Sequence, residues 1–125
     1  MNVMDENVPI FVRISEGIKD YILMGELKEE QQLPSTTQIS KQYNVNISTV
    51  NKGYNILVGE GIVYKKKGIG MFVCKGAVEK LINDRRGTFK ERYIISMLEE
   101  AKRLQYTSEE LQNMVAEIYN KDICK

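Results

Sequence analysis

Residues 33–73 read LPSTTQISKQYNVNISTVNKGYNILVGEGIVYKKKGIGMFV, and the order of physical signals in this stretch decides the fold. Ser35 and Gln38 have the spacing of a capping box, in which a serine oxygen accepts a backbone N–H and the glutamine reaches back. A helix is therefore expected to begin just after Pro34. Ile39 and Tyr43, four apart, share one face of that short helix. The polar break Tyr43-Asn44-Val45-Asn46 follows, with Asn46 placed to cap a second helix whose buried face is Val50, Tyr54 and Leu57 or Val58. Gly59 and Gly61 stop it. Ile62-Val63-Tyr64 and Met71-Phe72-Val73 are β-prone runs on either side of Lys65-Lys66-Lys67-Gly68-Ile69-Gly70, so the chain is expected to fold back as a hairpin with a mobile, positively charged tip. Two short helices joined by a tight turn and followed by a basic hairpin outline a winged helix-turn-helix, whose second helix is the one expected to enter a DNA groove.

Upstream, Ile10, Ile14, Ile18 and Ile22 recur every four residues with Tyr21 beside them, which predicts an amphipathic helix ending near Gly25. Asn7-Val8-Pro9 suits its start, the proline in the first turn where a missing N–H costs nothing. This helix would pack behind the other two as the third member of a trihelical core. Downstream of Gly76, residues 77–105 read as helix, with Leu81 and Ile82 and then a strong apolar stripe of Tyr93, Ile94, Met97, Leu98, Ala101 and Leu104. Gly87 marks a bend or break between the two parts. Thr107 with Glu110 is a second capping box, opening a final helix with Leu111, Val115 and Ile118 on one face and Met114 and Tyr119 beside it.

The expected fold class is mainly α with a small β-hairpin: a winged helix-turn-helix DNA-binding domain over residues 1–76, then a helical dimerisation region over residues 77–125. A lone core below roughly 40 to 60 residues is marginal, so the tail is expected to pair with a second copy of itself through Tyr93, Ile94, Met97, Leu98, Ala101, Leu111, Val115 and Ile118. The sequence is compatible with a small-molecule effector, but a large pocket for one is not expected in so short a tail.

With 42% hydrophobic and 28% charged residues, the 125-residue chain has the composition of an ordinary globular protein. No apolar run approaches the roughly 20 residues of a membrane span. The N-terminus, MNVMDENVP, carries acid where a signal peptide carries base, so a cytoplasmic location is expected. There is no histidine, and Cys74 and Cys124 form no CxxC, which excludes common zinc sites and histidine-based proton transfer. No phosphate loop and no clustered carboxylates stand in for them, so an enzyme is the least favoured class and no cofactor is expected. The net charge of +1 is uninformative, but its distribution is not. Residues 1–40 hold three bases against seven acids, residues 41–76 hold six bases against Glu60 alone, and residues 77–125 balance nine against nine. The positive charge falls on the proposed recognition helix and wing, where phosphates would lie.

These residues resemble the GntR family of bacterial transcription regulators, and among them the small YtrA-type members. The resemblance rests on Pro9-Ile10, Ile18, Ile22, Gly25-Glu26-Leu27, Leu33-Pro34-Ser35, Val45-Asn46, Ser48-Thr49-Val50, Lys52, Tyr54, Leu57, Glu60-Gly61-Ile62 and Gly68-x-Gly70-x-Phe72-Val73, in the family's order and spacing, and extends to the tail around AKRLQYTSEELQNMV at residues 101–115. It implies a dimeric repressor or regulator whose two winged helices read a palindromic operator, with the C-terminal helices forming the dimer. Thr37 and Ile47 stand where the family commonly has arginine or another polar residue, and Gly68-Ile69-Gly70-Met71 replaces its usual Gly-Arg-Gly-Thr. Each lost arginine removes a bidentate guanine contact, roughly 1–3 kcal/mol of discrimination, so the operator preference of relatives does not carry over.

The candidate DNA contacts are Asn46, Ser48, Thr49 and Asn51 in the first turns of the recognition helix, with Asn51 suited to a bidentate contact to adenine. Ser35 and Thr37 open the preceding helix, where free N–H groups favour a phosphate; Ser35 is equally a plain cap. Lys52, Lys65, Lys66 and Lys67 are placed for phosphate neutralisation, and Gly68 and Gly70 for the turn. Arg85 and Arg86 either add a phosphate contact or are solvated. Two further readings stay open: a winged helix used as a protein-interaction module, and a redox-gated regulator acting through Cys74.

Overall fold

The computed structural model describes residues 7–121, so Cys124 and the acidic residues Asp5 and Glu6 lie outside the described residues. The chain divides into two compact units, residues 1–86 and 87–125.

The first unit contains α1 (Ile10–Leu23), α2 (Thr36–Tyr43), α3 (Ile47–Gly59), β1 (Val63–Lys66), β2 (Gly70–Val73) and most of α4 (Ala77–Phe89). The four-residue spacing of Ile14, Ile18 and Ile22 puts all three on one side of α1, where they are buried with Ile39 of α2 and Val50, Tyr54 and Leu57 of α3. Val58, the other candidate for the inner face of α3, is exposed. Helices α1 and α3 approach closely at Gly53, where an added Cβ would lie 2.8 Å from the carbonyl oxygen of Phe11 and 3.2 Å from Cγ2 of Ile14. The end of α3 is set by Gly61 at φ +74°, which lets the Ile62 N–H return to the Leu57 carbonyl while both side chains bury. At the end of α2 the left-handed position is held by Asn44, φ +54°.

The helix starts differ from expectation in two details. Ser35 Oγ accepts the Gln38 N–H at 3.1 Å. Asn46 occupies the cap position of α3, but its side chain makes no capping hydrogen bond and is left facing outward from the helix start. Pro9 stands just ahead of α1 rather than inside its first turn.

Strands β1 and β2 pair antiparallel from Val63↔Val73 to Lys66↔Gly70, joined by Lys67-Gly68-Ile69. Ile62 precedes β1 and is buried. Residues 30–33 lie along the other edge of β2, with Glu30 N–H donating to Val73 O (2.8 Å), Val73 N–H to Gln31 O (3.0 Å) and Leu33 N–H to Met71 O (2.8 Å). Glu30-Gln31-Gln32 carries no strand propensity; the open edge of β2 recruits it.

Helix α4 is drawn into this unit. Glu29 caps it from a distance, Oε1 accepting from Gly76 N–H (3.0 Å) and Oε2 from Val78 N–H (3.1 Å). Ala77 and Leu81 are buried in the same core as α1 and α3, so the first unit runs to Arg86 rather than ending at the expected 76/77 boundary. Arg85 reaches α1, Nη1 to Asp20 Oδ1 at 2.8 Å and Nη2 to Glu16 Oε2 at 3.5 Å, so its guanidinium ties α4 to α1.

The two backbone N–H bonds, aided by Lys75, hold the Glu29 carboxyl below its ordinary value of 4.5 against the opposing effect of burial. Its folded pKa lies below its unfolded one, so the stabilisation is complete above about pH 4.5 and is lost as pH falls through the folded value. Glu29→Gln should therefore lower the urea midpoint at neutral pH, and its difference from wild type should shrink as the pH falls below the ordinary carboxyl value of 4.5. A difference that persists unchanged in acid would remove the cap from this account.

The second unit begins at Gly87, inside α4. Helix passes through this glycine without a break, and the irregularity comes three residues later as a π-helical turn, Lys90–Ile94, before α5 (Ile95–Arg103). α6 (Ser108–Tyr119) starts with the expected box, Thr107 Oγ1 accepting Glu110 N–H and Glu110 Oε1 accepting Thr107 N–H. Ala101 is 6% exposed, the one buried residue among the described residues of this unit. Tyr93, Met97, Leu98, Val115 and Ile118 are exposed, and Ile94 and Leu111 half-buried. α5 and α6 form the walls of an open groove of about 700 Å³ lined by Met97, Leu98, Leu111, Val115 and Tyr119 among others. That is larger than expected of so short a tail, because α5 and α6 by themselves leave the space between them open.

Candidate nucleic-acid interface

The start of α2, the first turns of α3 and the hairpin converge on one side of the first unit. Ser35, Asn51, Lys65 and Gly70, from three separate elements, line a single cleft of about 300 Å³, whose floor includes Pro34 and Tyr54. Tyr54 ties that floor together: its phenol donates to the Pro34 carbonyl at 2.7 Å, and burial pushes its pKa far up, so it stays a neutral donor. The bond joins the middle of α3 to the residue preceding the α2 cap. Ser35, Thr37, Asn46, Ser48 and Asn51 are exposed, and Thr49 is half-buried.

Two of the four candidate lysines rest on aromatic rings. Lys52 Nζ sits 4.7 Å from the centre of the Phe11 ring, and Lys66 Nζ 4.6 Å from that of Phe72. Phe72 in turn stacks on Tyr64 across the hairpin, ring centres 5.8 Å apart. A lysine resting on an aromatic face keeps its charge exposed while losing some freedom. Lys65, Lys67 and Gly68 are exposed around the tip, with Gly68 at φ +78° in the turn. Cys74 lies just past β2; burial first, and then Glu30, push its thiol pKa up, with Lys80 opposing. A thiol held protonated is a poor redox sensor.

Residues 11–73 match the model of bacterial regulatory proteins of the gntR family, which spans α1, the helix-turn-helix and the hairpin. The chain belongs to the GntR family. This GntR-family chain is 35% identical over 83 residues to the transcriptional repressor NagR of Bacillus subtilis, a match covering 66% of the chain and 34% of NagR. It is 29% identical over 86 residues to the repressor YtrA of the same organism, covering 69% of the chain and 66% of YtrA. The chain thus spans about a third of the length of NagR and about two thirds of YtrA. Among solved structures, a GntR-family transcriptional regulator from Bacteroides thetaiotaomicron matches at 32% identity with a TM-score of 0.66, covering 90% of this chain and 97% of that one. The DNA-binding domain of AraR in complex with its operator matches at 28% identity and a TM-score of 0.52, covering 54% of this chain and 81% of that one. The GntR family is one of DNA-binding regulators, not of enzymes. No helix among the described residues is long and apolar enough to cross a membrane.

Four residues whose contacts brace the first unit of this GntR-family chain escape a reading of the sequence. Tyr54 is legible as core, but its hydroxyl partner is twenty residues away. Gln32 and Glu29 sit in a polar run with no local signal of their distant partners. Gly53, a glycine in the interior of a helix, is the one with a visible signal, since such a residue costs helix stability and needs a packing reason.

Proposed function

We propose that this chain is a transcriptional repressor that binds a palindromic operator as a homodimer, with the first turns of α3 in the major groove and the hairpin along the flanking backbone. The observation that carries this reading is the cleft at which Ser35, Asn51, Lys65 and Gly70 meet, because one surface then offers a helix start, a base-reading amide and a cationic strand to the same duplex. Asn46 and Ser48 add exposed polar groups beside Asn51, and Asn46, spared from capping, is available to the DNA. Lys52, Lys65, Lys66 and Lys67 neutralise phosphates. AraR, complexed with its operator, supports the DNA-binding mode, and NagR and YtrA support repression.

A second copy of the chain covers the apolar groove of α5 and α6. Leu98 is 38% and Val115 50% exposed in a unit where Ala101 alone is buried among the described residues, too little core for these helices to persist unpaired. Tyr93, Ile94, Met97, Leu111 and Ile118 complete that seam. A regulator of this kind works in the cytoplasm.

The test is fluorescence anisotropy on DNA from the chain's own promoter region against scrambled DNA of equal length, across a salt series. A promoter preference of about a hundredfold or more is expected, on the order of specific readers. Lys65→Ala, Lys66→Ala and Lys67→Ala together should weaken binding to both duplexes and lower the salt slope by up to about three. An unchanged slope removes the wing from the interface; equal binding of both duplexes overturns sequence-specific regulation.

A further inference from the structure

Gln32, bridged to Phe72 in the segment along the free edge of β2, reaches the hairpin tip. Its Nε2 donates to the Ile69 carbonyl at 3.1 Å, across 37 residues. Gly70 makes room for it: at φ +145° and without a side chain, it lets the amide come where a Cβ would lie 2.5 Å from that nitrogen. The backbone under Gln32 is anchored on both sides, by Gln31 and Leu33 bonding to β2 and by the burial of Leu33 in the core. A two-residue neighbour adds a second brace, Tyr64 donating to Glu30 Oε2 at 3.2 Å. Gln32 also lines the cleft that holds Ser35, Asn51 and Lys65.

We infer that Gln32 is a positioning residue for DNA binding, which locks the wing tip to the helix-turn-helix so that Lys65, Lys66 and Lys67 meet the backbone of the duplex already held by α3. A two-stranded hairpin is marginal by itself, so its tip direction depends on lateral bonds of this kind. Ile69, whose carbonyl receives the bond, is 63% exposed and gives the tip no packing of its own. The inference rests on reading the hairpin as a DNA wing.

The experiment uses the full chain, with Gln32→Ala, Gln32→Met, the triple lysine-to-alanine variant, and Gln32→Ala combined with that triple. Binding is measured on promoter and scrambled duplexes across a salt series, with thermal melts as a folding check. Gln32 is exposed, and methionine preserves its length without the donor. Both single variants should melt as wild type, bind each duplex roughly three- to tenfold more weakly and show a salt slope lower by about one, although every lysine remains. Added to the triple variant, Gln32→Ala should cause no further loss, since the contacts it positions are already gone. A wild-type salt slope in either single variant, or a loss that adds to the lysine loss, overturns the inference. Phosphate contacts carry no sequence information, so this comparison holds on either duplex. Equal wild-type affinity for the two duplexes overturns the regulatory reading alone, and a wild-type chain that binds neither overturns both.

Discussion

Gly53→Ala should lower the melting temperature by roughly 5–15 °C, the reverse of what alanine ordinarily does inside a helix. Replacing an interior helix glycine normally gains about 0.5–1 kcal/mol. Here the new methyl group would meet the Phe11 carbonyl oxygen at 2.8 Å, and that oxygen belongs to the backbone of α1, which cannot rotate aside as a side chain would. Ile14 closes the space from beside it at 3.2 Å. Overpacking of this type costs about 1–3 kcal/mol, enough to reverse the helix gain. Gly59 and Gly87, also helical and with nothing within 4 Å of an added Cβ, are the internal controls: alanine there should leave the melt unchanged or raise it. Operator affinity should fall with Gly53→Ala as well, because α3 is displaced from the scaffold that aims it. A melt that rises with Gly53→Ala as it does with Gly87→Ala would show that α1 and α3 do not cross so closely.

Leu98→Glu should convert the chain to monomers at micromolar concentration and reduce operator affinity by about a hundredfold or more, the order of the avidity lost when two half-sites are no longer engaged together. A carboxylate in the groove between α5 and α6 would have to be desolvated against Met97, Val115 and the apolar face of a second copy. Leu98 is 38% exposed in the single chain, so the substitution has little to disturb within its own unit. Sedimentation velocity reads the first effect and anisotropy on operator DNA the second. A dimer that survives Leu98→Glu places the interface elsewhere, and monomers that keep wild-type affinity show that pairing does not serve operator binding.

The helix-turn-helix and the hairpin were legible from sequence because their signals are local. The four-residue spacing of Ile14, Ile18 and Ile22, the Ser35 cap, Gly61 and the paired β-prone runs each act within a few residues, where chain geometry permits few alternatives. At Gly87 the helix runs on unbroken, since a single glycine costs a well-supported helix only about 1 kcal/mol, although the second unit begins at that residue. The same locality misled at Asn46, where a good capping residue in the capping position leaves its side chain outside the helix.

What the sequence determined by itself is the fold class and the family: local propensity, capping and hydrophobic period all specify a winged helix with a helical tail, and the match over residues 11–73 agrees. Only the tertiary structure decided how far the first unit extends and what braces it. Glu29 capping α4, Arg85 reaching Asp20 and Glu16, Tyr54 bonding Pro34 and Gln32 bonding Ile69 each join residues 20 to 69 apart in the chain. Such bonds depend on which polar groups the folded core brings within about 3 Å of one another, and no periodicity in the chain records that distance.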